Sequence, residues 1–290
     1  MVTGKNKQLK EHSGTHPSEH SRSGYASDSF GEIAIPEDAL WGAQTQRSLA
    51  HFKIGKHRFE PCFIEALLQI KRASAQVNRA EHLLEDKLCV AILIACDELL
   101  QGKHWQQFPL HVWQTGSGTQ TNMNVNEVIS SLANAYLDKN RVKKTQDKLT
   151  RVHPNDHVNM SQSSNDVFPS AMHIAVAQQS HKKLIPAIKL LDAELAQKQQ
   201  LFKTHYCVGR THLMDALPLT VGAVLSAFRA QLAAAKTALL DSLSGVYQLA
   251  IGGTAVGSGR NAPAGFAENG SKQLAVYFGL PFSAHNNLFA

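Results

Sequence analysis

Three short polar clusters in this 290-residue chain carry the residue types that hold an anion without adding charge. They are Ser117, Gly118 and Thr119 in "TGSGTQTNMN", Ser163, Ser164 and Asn165 in "SQSSND", and Thr211 with His212 in "GRTHLMDALPLT". Each stands just before apolar residues at helical spacing, so each reads as a helix opening. The first N–H groups of a helix lack partners and attract negative charge, and Ser, Thr and Asn side chains beside them add donors. Converging in space, such openings make a carboxylate pocket. His212 would set a group that titrates near neutrality beside the anion, as proton transfer requires.

For any one cluster, ordinary helix capping is a sufficient account, and a lone histidine more often fills space and bonds a carbonyl. The density of the three clusters argues for more, because a helix needs a single cap. Other chemistries fit poorly. "TGSGTQ" lacks the lysine and spacing of a P-loop, and "GGTAVGSGRN" is neither GxGxxG nor preceded by a strand pattern. His153 and His157 are four apart, but Pro154 between them disfavours a ligand-bearing helix, so no metal is expected.

The elements that must position these groups are mostly helices. Ile64, Leu67, Leu68 and the stretch from Lys71 to Val77 lead one, and the residues from Leu88 to Leu100 form another, ended by Gly102. Val125, Val128, Ile129, Leu132 and Tyr136 share a face after the first cluster. A second long segment runs from Phe168 to Leu195, with a kink or break predicted at Pro186. A third runs from Val224 to Leu239. Asp166 with Pro169 and Asp215 with Pro218 repeat one spacing, which predicts that each Asp caps a helix with Pro in its first turn. Short strand character is expected near Gly31. The architecture expected is a mostly α, long-helix bundle with a smaller N-terminal helical domain: a disordered tail over 1–24, a domain over 25–163, and a bundle over 164–290.

Hydrophobic residues make up 43% of the chain, enough for a large core, and the net charge of +6 is dispersed rather than gathered in a basic block. Nucleic-acid binding is therefore not expected. No apolar run reaches the ~20 residues a membrane span needs. Four cysteines without a CxxC pair suit a reduced, cytoplasmic setting.

At these same residues the chain resembles the fumarase/aspartase superfamily, and within it the iron-free, class II fumarate hydratases. The resemblance rests on "GEIAIPEDALWGAQTQRSL", "VWQTGSGTQTNMNVNEVI", "VHPNDHVNMSQSSNDVFPSAMHIA", "GRTHLMDALPLT" and "GGTAVGSGRNAPAGF", in the family's order across residues 25–290. It implies reversible hydration of fumarate to L-malate, without metal or organic cofactor, in a homotetramer whose active sites each draw on three subunits. Residue by residue, it implies carboxylate binding at Ser117, Gly118, Thr119, Ser163, Ser164 and Asn165, with Thr211 supplied by a neighbouring chain. His212 then resembles the family histidine that moves a proton through a bound water. His153, Pro154, Asn155 and Asp156 resemble a second anion site. Aspartases carry Gln after the Thr of "GRT", so His212 favours hydration over ammonia-lyase activity. The family's flexible "GSSIMPGKVNP" loop would lie beyond residue 290, so the chain reads as incomplete at its C-terminus. Met160, where many relatives have Lys, departs from the pattern. A non-catalytic helical subunit that assembles with longer family members is the alternative.

Overall fold

The computed structural model describes residues 24–140 and 150–289. All of the polar leader except Gly24 lies outside the described residues. The described chain is mostly helical. It opens on a small antiparallel hairpin, β1 (Tyr25–Asp28) and β2 (Gly31–Ala34), which Arg47 ties down through a bidentate pair with Asp28.

Helix α1 (Ala43–His51) begins without a side-chain cap of its own. Its orphan N–H groups are satisfied from another helix: the Glu127 carboxylate accepts from Gly42 N at 2.9 Å, Gln44 N at 2.9 Å, Thr45 N at 3.1 Å and Thr45 Oγ1 at 2.6 Å. Burial raises the Glu127 pKa, and these donors oppose the rise.

The core is a stack of helices. In α2 (Pro61–Ala80), Pro61 occupies the first turn, where its missing N–H costs nothing, and Phe63, Ile64, Leu67, Leu68, Ile70 and Val77 are buried. Next, α3 (Asp86–Leu100) sets Asp86 in its first turn, where the helix dipole favours a negative charge. Central to the stack is α4 (Thr119–Lys139), buried on nearly every side from Thr121 to Ser130. Behind α2 lie α5 (Ser164–Gln179) and α8 (Phe266–Phe278); α8 carries the Asn269-Gly270 pair without interruption. One apolar cluster joins Phe63 to Phe282, with no member between residues 178 and 245.

That interval holds the second architectural unit. After α5, a five-residue π-helical segment (Ser180–Leu184) widens the helix just ahead of Pro186, and α6 (Ile185–Leu201) continues beyond it. The break expected at Pro186 is thus a π segment, which absorbs a residue that offers no N–H. Helix α7 (Val221–Val246) packs along α6. Only Ile185 of α6 and Gly222 and Leu243 of α7 are buried.

Two expectations need correction. Residues 209–220 do not open a helix; they form an antiparallel hairpin of β3 (Tyr206–Thr211) and β4 (Met214–Thr220), and α7 starts only at Val221, capped by Thr220 Oγ1 on Ala223 N at 3.0 Å. Asp215 pairs across the hairpin with Arg210 at 2.9 Å, and Pro218 lies in a two-stranded ribbon, where a missing N–H is tolerated. Asp166 is likewise not the cap of α5. Ser163 is, and Asp166 is its reciprocal partner three residues on, with Pro169 in the second turn.

Candidate functional site

The first polar cluster is held open by one glycine. Gly118 has φ of +70° and caps α4, and a Cβ there would collide with the Phe168 ring of α5. Its neighbours form a string of hydroxyls: Ser117 Oγ lies 3.0 Å from Thr119 Oγ1 and 3.3 Å from Thr115 Oγ1, and Thr115 bonds Gln120. Gln114 Oε1 occupies the donors of Thr121, N at 3.0 Å and Oγ1 at 2.9 Å. Ser117 is exposed, so the string faces outward.

The second cluster opens α5. Ser163 Oγ accepts from Asn165 N at 3.3 Å, while Asp166 Oδ1 accepts from Ser163 N at 2.9 Å. The other Asp166 oxygen reaches the glycine-rich "GGTAVGSG" loop, accepting from Gly252 N at 3.0 Å and Thr254 N at 2.9 Å. Asn165 Nδ2 donates to Ala255 O of that loop at 2.7 Å. Burial raises the Asp166 pKa, and the three N–H donors pull it back.

These two clusters meet. Asn122, one turn into α4 and 1% exposed, sets its Nδ2 at 3.1 Å from both Ser164 Oγ and Asn159 Oδ1. Beneath them lies a group that the sequence pattern placed among core residues: Lys71 of α2, wholly buried, with Nζ at 2.8 Å from Asn159 Oδ1 and 3.0 Å from Gln162 Oε1. Burial brings its pKa down to about 7, against the pull of the Asp166 carboxylate. A lysine on the apolar stripe of α2, with Asn78 two turns further on, was the signal available in the sequence. Asn78 accepts from Ser161 Oγ at 2.7 Å and donates to Met160 O at 3.0 Å, so α2 grips the whole 159–162 segment.

That segment leads back to His153, Pro154, Asn155 and Asp156, which lie at a five-residue π turn (Pro154–Val158). His153 Nδ1 accepts from Asp156 N at 3.1 Å, and His157 Nδ1 accepts from His153 N at 2.8 Å. Burial lowers the His157 pKa, and the nearby His153 lowers it further. Each Nδ1 is thus engaged by the turn's own backbone. No cluster of His, Cys, Asp and Glu among the described residues could hold a metal ion.

Thr211 and His212 stand elsewhere. His212 and Leu213 are the two central residues of the β3–β4 turn, both left-handed, with φ of 49° and 63°. Both strands are largely exposed, and β4 runs directly into α7. Among the described residues no hydrogen bond joins Thr211 or His212 to the α4 and α5 openings. Within one chain, then, the structure sets the α4 opening against the α5 opening, through the Asn122–Ser164 hydrogen bond and the approach of Gly118 to Phe168, and leaves the hairpin displayed on its own.

Comparison with known proteins adds to this geometry. A family model described as "Lyase" matches residues 31–290. The chain is 53% identical over 263 residues to the class II fumarate hydratase of Pseudomonas putida, and 54% identical over 265 residues to fumarate hydratase class II 1 of Pseudomonas aeruginosa. Both alignments cover 91% of this chain and 56% of the relative, so the chain spans about half the length of the curated relatives it matches. Its fold is similar to that of the class II fumarase of Schistosoma mansoni, with a TM-score of 0.85 and 38% identity over 92% of this chain and 58% of that one.

Proposed function

We propose, from the premise that the chain belongs to this lyase family, that it serves the reversible hydration of fumarate to L-malate. The observation that carries the reading is the pair of helix openings at Gly118 and Ser163, joined through Asn122 and supplied with uncharged donors. Malate dehydration removes a weakly acidic proton beside a carboxylate and builds a doubly charged aci-carboxylate. Donors fixed before the substrate arrives stabilise that charge more than they stabilise the substrate.

In this reading Ser117, Gly118, Thr119, Ser163, Ser164 and Asn165 hold the substrate carboxylates. Thr211 and His212 reach the site of a neighbouring copy, which is the use we assign to an exposed hairpin, and His212 passes a proton to or from a bound water. His153, Pro154, Asn155 and Asp156 form a second anion site. The chemistry uses no metal and no organic cofactor, the assembly is a homotetramer, and the setting is the cytoplasm, in keeping with four unpaired cysteines. A second reading is a non-catalytic helical subunit, which would use the same bare apolar faces of α6 and α7 to associate.

The test follows fumarate by its ultraviolet absorbance, using the chain alone and the chain joined to the C-terminal part of a longer relative. Hydration by the joined protein, lost on His212→Asn with inhibitor affinity retained, is the expected result. No hydration in either form overturns the enzymatic reading and leaves the subunit role.

A further inference from the structure

Lys71 is fully shielded from solvent, and the proposed reaction gives it no task. It lies under the segment that connects the His153 turn to Ser163, with its nitrogen on two amide oxygens, those of Asn159 and Gln162. An ammonium group donates and never accepts. Its contacts therefore settle which end of each amide faces it, and the neutral amine still has one N–H for each oxygen. Because Asn159 Oδ1 also lies 3.1 Å from the Asn122 side chain, Asn122 must turn its NH2 toward that oxygen. The same NH2 meets Ser164 Oγ. A hydroxyl has one proton, and here the face toward Asn122 is taken up by accepting, so the Ser164 proton points away from Asn122.

Left to itself, Asn122 would have reason to turn over. Its Oδ1 is buried with no hydrogen-bond partner among the described residues, and a flipped amide would let Ser164 donate to it. An orphaned acceptor is what an imposed orientation leaves behind. We infer that Lys71 is a positioning residue that fixes the hydrogen-bond direction along Asn159, Asn122 and Ser164, so that Ser164 presents its O–H as a donor to a ligand carboxylate. The ligand half of this inference rests on the dicarboxylate reading above. Asn78 supplies the control, since it grips the same segment through Ser161 and Met160 but stands outside the chain of donors.

The experiment compares the full chain with its Lys71→Met and Asn78→Ala variants, using side-chain amide hydrogen exchange by NMR and calorimetric titration with succinate, a non-reacting four-carbon dicarboxylate. The Asn122 amide protons should exchange about tenfold faster in Lys71→Met, and succinate should bind about tenfold more weakly, the effect of one misdirected hydrogen bond to a charged group. Asn78→Ala should lower the unfolding midpoint with neither change. Unaltered Asn122 exchange in Lys71→Met overturns the inference whatever succinate does, and equal losses in both variants reduce Lys71 to a structural role. Altered exchange with no succinate bound by the parent chain supports the wiring and sinks the dicarboxylate reading alone. Should Lys71→Met not fold, Lys71→Gln, which can accept as well as donate, carries the same test.

Discussion

Gly118 does at the scale of one residue what no other side chain can do there. Its φ of +70° suits glycine, and its missing Cβ leaves room for the Phe168 ring, so the α4 and α5 openings lie against each other. Gly118→Ala should cost about 2–4 kcal/mol, combining left-handed strain with overpacking against an aromatic ring, and urea unfolding would measure it. A loss under half a kcal/mol would mean that Phe168 moves aside freely. Lys71 makes a prediction of a different kind, because its folded pKa of about 7 lies below the unfolded value of 10.5. A group depressed in this way contributes stability above the unfolded pKa and loses it as pH falls toward the folded one. Relative to Lys71→Met, the parent chain should therefore gain on the order of 1 kcal/mol per pH unit between pH 7 and 9. The difference between the two proteins is the quantity to follow, since Cys96, pushed by burial to about 12, acts in the opposite sense above pH 9. A flat difference across that window would place the Lys71 pKa near its ordinary value.

At the scale of elements, the helices were legible because burial imposes its period on the sequence: Leu67, Leu68 and Val77 in α2, and Leu88, Ile92 and Leu99 in α3, sit where a 3.6-residue repeat demands. The 211–218 stretch was misread because an Asp three residues before a Pro looks the same in a helix opening and in a ribbon. What separates them is non-local. Asp166 is held by a loop 86 residues away, whereas Asp215 is held by Arg210 five residues back, and neither distance is written in the local pattern. The depth of Lys71 was hidden for a similar reason, since its partners Asn159 and Gln162 come from a distant segment. The hairpin turn yields its own prediction. Leu213 is fully exposed at φ 63°, so Leu213→Gly removes strain and no contact within the chain. It should stabilise the hairpin by about 1 kcal/mol, seen as slower amide exchange in β3 and β4. Faster exchange would mean that the leucine side chain packs on something outside this chain.

Across the whole molecule, the two architectural units differ in how they treat apolar surface. The α2–α5 stack buries most of its leucines and isoleucines, while α6 and α7 leave Leu190 at 67%, Leu191 at 51%, Leu201 at 59% and Phe228 at 51% exposure, with a cleft along their seam lined by Leu191, Leu195, Phe228, Leu232 and Ala235. No helix among the described residues is long and apolar enough to cross a membrane, so a lipid span does not explain these faces. A helix apolar on several sides but packed on only one is built to be covered, and contiguous apolar surface of this extent marks an association site. The expected outcome is that the chain sediments as an oligomer, and that Leu191→Glu with Phe228→Glu shifts it to a monomer whose α2–α5 stack still unfolds cooperatively. On the proposed reading, in which the His212 hairpin ahead of α7 serves a second copy, the same double change should also abolish the hydration activity of the joined protein. A monomeric parent chain would overturn this account of the exposed faces and with it the sharing of His212 between copies.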